Sequence, residues 1–450
     1  MTRRRCIVVV TEGASWPLVR QWSADGHLPG FRRLFASGTA GRLVSGPVPY
    51  EVPGITSMVT GRRPGDHGFF SFWAAQNPGY APRVLEPREL AAPPIWRRPE
   101  CADRKFALVN VFGTHPPEPI NGWVLSYAMS QTLRSSYPRE LALELAARDI
   151  RYPQEVSVWY AGQPRDAFVA QICDVDRRRA LAALELWQRG ADVVFLVLTS
   201  LDRAGHHYWQ ELEPGSPFAT RDTAMFAAFT TCDRIIARLL ERVDDHTSVI
   251  AASEQGFGPN RAYLSINREL ARAGLLAYRE PGDEPADEHA IDWARTRAFE
   301  AVQGTHGVNL NLVGRNQHGL VAPGDHAAVR DEVAACLRAA INPHTGLPMF
   351  RAVQPREAVH AGAAVDRAPD LVVEPLDERY PPLGDPLWAG RVHRRWHSGW
   401  HRRESYFAAV GPAFRAGAEV DGVAPEDVAA SVYHACGLAI PDDFAGQVRA

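Results

Sequence analysis

The chain has 450 residues, 46% of them hydrophobic and 22% charged, the balance of an ordinary globular protein with a large core in one elaborated domain or two. A formal net charge of -3 with no long basic run speaks against a nucleic-acid or membrane-surface partner, and no stretch approaches the ~20 apolar residues of a membrane span. Six scattered cysteines (Cys6, Cys101, Cys173, Cys232, Cys336, Cys436) form no C-x-x-C pair, which fits buried thiols in a reducing cytosol better than a disulfide framework.

The opening MTRRRCIVVVTEGASW carries an apolar run shorter than the roughly seven to fifteen residues of a signal-peptide core. CIVVV is therefore read as a first buried strand, and the protein as cytoplasmic. The stretch from Pro49 to Phe70, PYEVPGITSMVTGRRPGDHGFF, has the look of a strand-to-helix turn that carries an esterase nucleophile, with Glu51 where a Ser or Thr hydroxyl is expected. KFALVNV from Lys105, ADVVFLVLTS from Ala191 and TSVIAAS from Thr247 are further β-branched runs of the kind buried on both sheet faces. Helical patterns lie between them, from Asp174 and from Arg221, the second placing Ile235, Ile236, Leu239 and Leu240 on one face. Alternation of this kind predicts an α/β domain with a mainly parallel sheet flanked by helices. The polar, acidic REPGDEPADEHAID from Arg279 interrupts the pattern, and the chain is expected to return to the core near WHSGWHRRE. The predicted organisation is a core over 1–259, an inserted cap over 260–383 that sets substrate choice, and a return over 384–450.

Each of four strand ends is followed by carboxylates, His or Gly. Glu12 and Gly13 follow the first strand; Asp202, Arg203, His206 and His207 follow FLVLTS; Glu254 and Gln255 follow VIAAS; His401 precedes the apolar SYFAAV. Ligands bind beyond the carboxyl ends of parallel strands, and carboxylates with imidazoles gathered there suit a divalent metal.

Together these motifs resemble the alkaline phosphatase superfamily, in particular its type I phosphodiesterase/nucleotide pyrophosphatase-like branch. The resemblance runs over nearly the full length and includes TGRRPGDHG at Thr60 to Gly68, PPEPINGW at Pro116 to Trp123, the D-R-x-x-H run from Asp202, VNLNLVGRNQHGLV from Val308 and RAPDLVV at Arg367 to Val373. It implies an alkaline-phosphatase-like fold and a centre of two divalent metals about 4 Å apart. The ligands of one metal match Asp202, His206 and His401, all intact. The positions of the other, including the hydroxyl nucleophile, match Glu12, Glu254, Gln255 and Glu51, and every one departs from the family pattern.

A metal-dependent hydrolase acting on a small molecule such as a phosphate ester is the first expectation. Zinc suits two His and one carboxylate, with manganese or magnesium as alternatives and non-haem iron ranked low. A second ion on the glutamates is left open, since Glu12 and Glu254 reach one methylene further than Asp and Gln255 offers only an amide oxygen. Without that ion, crowding pushes at least one carboxyl pKa up and creates an acid/base pair, with Glu51 as base or carboxylate nucleophile. The alternatives are a lyase, isomerase or transferase built on the carboxylates, or a non-catalytic homologue. The bland readings are a helix-capping polar pair for Asp202 and His206, a helix-dipole partner for Glu51, and structural ion pairs for Glu12 and Glu254. His207 and His397 are read as surface or supporting histidines, with His207 and Gln255 kept as candidate second-site or substrate contacts. His67 is expected to fix its loop, Phe69, Phe72 and Trp73 to pack, and Thr56 and Ser57 to lie inside a helix, with a displaced nucleophile there as a minor option.

Overall fold

The computed structural model describes residues 3–279, 291–382 and 397–450. The acidic segment beginning at Arg279 falls outside these residues over 280–290. The strands in chain order are β1 (Arg5–Thr11), β2 (Thr39–Val44), β3 (Phe106–Val109), β4 (Gly122–Leu125), β5 (Ser136–Tyr137), β6 (Val193–Leu198), β7 (Thr247–Ala252), β8 (Gly256–Pro259), β9 (Ala298–Glu300), β10 (Gly307–Leu310), β11 (Phe350–Pro355), β12 (Leu371–Pro375), β13 (Gly399–Arg402), β14 (Glu404–Val410) and β15 (Ala418–Val423). The chain divides into two compact units, one made of Met1–Arg62, Glu86–Gly258 and His401–Ala450, the other of Arg63–Leu85 and Pro259–Trp400.

The first unit holds a nine-stranded sheet in the order β15-β2-β14-β7-β1-β6-β3-β4-β5. Its centre, β7-β1-β6-β3-β4, is parallel throughout. β14 runs antiparallel to both of its neighbours, and β5 runs antiparallel to β4. Val193–Leu198 and Thr247–Ala252 are buried at every position, as strands covered on both faces must be. β2, TAGRLV, instead alternates between buried and half-buried positions.

Helices cover this sheet. The Arg165–Gln188 helix starts ahead of the stretch read from Asp174 and packs on β6 and β3. The Ala224–Leu240 helix is capped by Thr223, whose hydroxyl accepts the Phe226 N–H, and it buries Ile235, Ile236, Leu239 and Leu240. Phe229 on it meets Trp22 edge to face at 5.2 Å. All six cysteines are free thiols, and no helix among the described residues is long and apolar enough to cross a membrane.

The second unit has its own antiparallel sheet, β11-β12-β10-β9. Its core includes Ile266, Leu270, Val308, Leu310, Val333 and Leu337. Buried Asp370 ties it together by accepting the Leu310 N–H at 2.8 Å and pairing with Arg315 at 2.6 Å.

One buried side chain aims the element that follows β6. Asp176, on the Arg165–Gln188 helix, accepts the backbone N–H groups of Thr199 at 3.1 Å and Ser200 at 2.8 Å. These are orphan donors at the start of the Ser200–Tyr208 helix, where a carboxylate also meets the positive end of the helix dipole. Arg179 lies 3.5 Å from the same carboxylate, and both side chains are fully buried. Asp176→Ala strands two N–H groups and weakens the compensation of a buried guanidinium, so it is expected to cost about 3 kcal/mol. Asp174→Ala, two residues away with a half-exposed side chain paired to Arg178, is expected to cost under about 1 kcal/mol. Chemical denaturation of the two variants side by side checks the contrast.

Candidate metal and carboxylate site

In the order β7-β1-β6 the carboxyl ends of three adjacent parallel strands lie side by side. Glu12 follows β1 directly, Glu254 follows β7 after Ser253, and Asp202 sits in the first turn of the Ser200–Tyr208 helix after β6. Asp202 and His206, four residues apart, share one face of that helix. His401 comes from β13.

Asp202 Oδ1 lies 3.3 Å from His206 Nε2 and 3.2 Å from His401 Nε2, and the two Nε2 atoms are 3.2 Å apart. His401 Nδ1 is 3.2 Å from the Pro49 carbonyl oxygen, which can only accept, so Nδ1 carries the proton and Nε2 presents a lone pair. Three buried atoms, each able to serve as a metal ligand, thus face one another. A single proton bridges one pair of them; a divalent cation satisfies all three. A tetrahedral ion with bonds of about 2.0–2.1 Å requires ligand separations of about 3.3 Å. All three observed separations match that edge, so the chemistry and spacing of the set fit a tetrahedral divalent ion.

The second oxygen of Asp202 is also engaged. Arg203 Nη1 donates to Asp202 Oδ2 at 2.6 Å, and its other amino group pairs with Glu155. Glu155, fully buried, pairs through its other oxygen with Arg179 at 2.7 Å. Burial disfavours the ionised form of Asp202, yet the neighbouring His206 and Arg203 hold its carboxyl well below the usual range. Burial also lowers the pKa of His206, against the pull of Asp202, which favours the neutral imidazole that a metal needs.

Phe257 forms an apolar wall beside these groups. Its ring meets His206 at 4.9 Å and His401 at 5.2 Å, both edge to face. Gly205 allows this approach, since a Cβ there would lie 2.6 Å from the Phe257 ring.

Glu51 opens the Glu51–Thr60 helix, and its Oε2 lies 3.8 Å from His401 Nδ1. Three residues on, Gly54 faces Glu254 so closely that an added Cβ would lie 2.6 Å from the Glu254 Cβ. Burial raises the pKa of Glu51 to about 7, with His401 pulling it down and Asp202 pushing it up. Burial pushes Glu12 well above the usual carboxyl range, helped by the charges of Asp202, Glu51 and Glu254. Glu254 is raised in the same direction by burial, then by Glu51 and Asp202. Oε2 of Glu12, Oε2 of Glu51, both oxygens of Glu254 and both polar atoms of Gln255 are buried without a hydrogen-bond partner. The concentration of buried carboxylate oxygens among these atoms calls for protons or a cation.

His207 stands apart from these contacts, its ring 4.6 Å from Tyr160 and 5.5 Å from Phe168. His67 Nδ1 accepts the Phe69 N–H at 3.2 Å and so braces its own loop. His397 Nδ1 is 2.9 Å from the Tyr263 hydroxyl. Thr56 and Ser57 are buried within the Glu51–Thr60 helix. The sequence alone gave no role to Arg203, Glu155, Arg179 or Phe257. Arg203 had a signal, standing between two candidate ligands in D-R-x-x-H, whereas Glu155 and Arg179 lie in unremarkable polar stretches.

Residues 6–402 match the family described as Type I phosphodiesterase / nucleotide pyrophosphatase. No curated protein matches the chain. Among solved structures, murine ectonucleotide pyrophosphatase/phosphodiesterase 5 superposes with a TM-score of 0.58 at 14% identity, covering 98% of each chain. The human counterpart also gives 0.58 at 14% identity, covering 99% of this chain and 97% of that one. Phosphonoacetate hydrolase from Sinorhizobium meliloti, in complex with phosphonoformate, gives 0.57 at 16% identity over 97% of this chain and 95% of that one. At these identities the likeness is one of fold.

The raised Glu51 pKa makes the metal-free protein sensitive to pH. Between its ordinary 4.5 and about 7 the folded chain keeps a proton on Glu51 that the unfolded chain has released. Stability therefore falls as pH rises through that window, by up to about 3 kcal/mol from this group. Unfolding of chelator-treated protein at pH 4.5 to 8 is expected to show a steeper decline in the wild type than in Glu51→Gln. Parallel curves would contradict the assignment.

Proposed function

The chain belongs to the type I phosphodiesterase / nucleotide pyrophosphatase family, and on that premise we propose that it is a metal-dependent hydrolase of small phosphate esters, with Glu51 replacing the hydroxyl nucleophile. The observation that carries the reading is the set of three donor atoms on Asp202, His206 and His401, spaced 3.2–3.3 Å apart. These residues would hold one divalent ion, zinc by preference; when bound, it supplies Lewis-acid polarisation of a phosphoryl oxygen and acidifies a water.

The chain's own residues do the rest. Glu51, half-ionised near pH 7, accepts a proton from the attacking water at its carboxylate. The water oxygen bonds to phosphorus as the ester oxygen leaves with its electron pair. Glu12 or Glu254, both kept protonated by burial, gives that leaving oxygen its proton. One proton is taken up and one released, so the site returns to its starting charge after exchange with solvent. Phe257 keeps water off one side of the imidazoles, which strengthens every charge interaction there. We assign substrate choice to the inserted region.

The three raised carboxyl pKa values also favour a second reading: acid–base chemistry at carbon, as in a lyase or isomerase, in the same pocket. Turnover of bis(p-nitrophenyl) phosphate and p-nitrophenyl phosphate, with and without added zinc or manganese, separates the two. The hydrolase reading expects metal-dependent release of nitrophenol, loss of at least about 10³-fold in Asp202→Ala, and loss of about 10²–10⁴-fold in Glu51→Gln. Absence of turnover on both esters from metal-loaded protein would favour the second reading. Full activity in Glu51→Gln would remove Glu51 from the mechanism.

A further inference from the structure

We infer that Arg203 is a positioning residue that makes Asp202 a one-oxygen ligand, and that it thereby sets which cation the site prefers. The inference rests on the metal reading above and goes beyond it in assigning selectivity to a residue that is not itself a ligand. The two carboxylate oxygens of Asp202 have different partners. Oδ1 faces His206 and His401 at 3.3 and 3.2 Å, while Oδ2 takes a charge-assisted hydrogen bond from Arg203 at 2.6 Å.

Arg203 is not free to release that oxygen. Its second amino group is fixed by Glu155, and Glu155 is fixed in turn by Arg179, both of them fully buried. Arg179 is pinned further by the Thr199 hydroxyl at 2.8 Å, at the start of the same helix. A guanidinium held at both ends of its planar fork is rigid in a way that a lysine ammonium is not.

Coordination chemistry gives this geometry a consequence. A carboxylate restricted to one oxygen, with two imidazoles, suits a small four-coordinate ion such as zinc. A carboxylate free to bind through both oxygens suits ions that accept more oxygen ligands, such as manganese or calcium. Removing the Arg203 charge raises the attraction for every divalent cation alike, so absolute affinity is an ambiguous readout. The ratio of affinities is not.

The test is a competition titration against a chromophoric chelator, measuring zinc and manganese dissociation constants for wild-type full-length protein, Arg203→Met, Arg203→Lys and Glu155→Gln. Arg203→Met is expected to lower the zinc-over-manganese preference by at least about 10-fold, within the range of outer-sphere effects on metal sites. Arg203→Lys, which keeps the charge but cannot span Asp202 and Glu155 together, is expected to lose part of the preference and guards against a Met variant that does not fold. Glu155→Gln is expected to shift the ratio in the same direction. If the wild type binds both ions and the ratio is unchanged in Arg203→Met and Arg203→Lys, the inference is overturned while the metal site stands. If the wild type binds neither ion, the metal reading fails and the inference fails with it.

Discussion

The constraint on which the rest of the site depends is the convergence of buried acceptor atoms at the ends of three neighbouring strands. Asp202, His206 and His401 direct lone pairs at one point, and Glu12, Glu51 and Glu254 add three carboxyls within the same buried region. Left uncompensated, so much like charge in a poorly solvated place would oppose folding. The structure answers with positive charge of two kinds. Arg203 and Arg179, threaded through Glu155, form a permanent counterweight on one side. Protons or a cation must provide the remainder: the triad is a group that could hold a metal ion, whereas the glutamates lie where burial favours protonation.

That division gives the two halves of the site different characters. In the Asp-His-His half Asp202 is held from behind by Arg203 and His401 by the Pro49 carbonyl, and Asp176 fixes the start of the helix that carries Asp202 and His206. The glutamate half is titratable. Four of its carboxylate oxygens lack hydrogen-bond partners, and burial raises the pKa of all three carboxyls. A braced ligand set beside a titratable set is the arrangement on which the proposed hydrolysis relies, one side for binding and the other for moving protons.

The sequence was legible where burial is complete. β1, β6 and β7 are apolar runs because both sheet faces are covered, and the residues just after them are the candidate site, as the topology of parallel sheets requires. β2 was not singled out, since its Gly and Arg break the apolar run and it reads as neither a buried strand nor a turn. The short β4 and β5 carry too few residues for any pattern. Asp202 and His206 were legible from their place just after an apolar strand run and from the D-R-x-x-H resemblance. The Asp202–Arg203–Glu155–Arg179 chain is different in kind. Its Arg203–Glu155 and Glu155–Arg179 links join residues 48 and 24 positions apart, and only folding brings these together.

The account stands on the three-donor centre, and metal stoichiometry tests that most directly. Elemental mass spectrometry on protein purified without chelator and equilibrated with zinc, beside Asp202→Ala and His401→Ala, should give about one tightly held ion per chain. Both variants should lose it. No retained ion in the wild type, or undiminished zinc in both variants, would contradict the account.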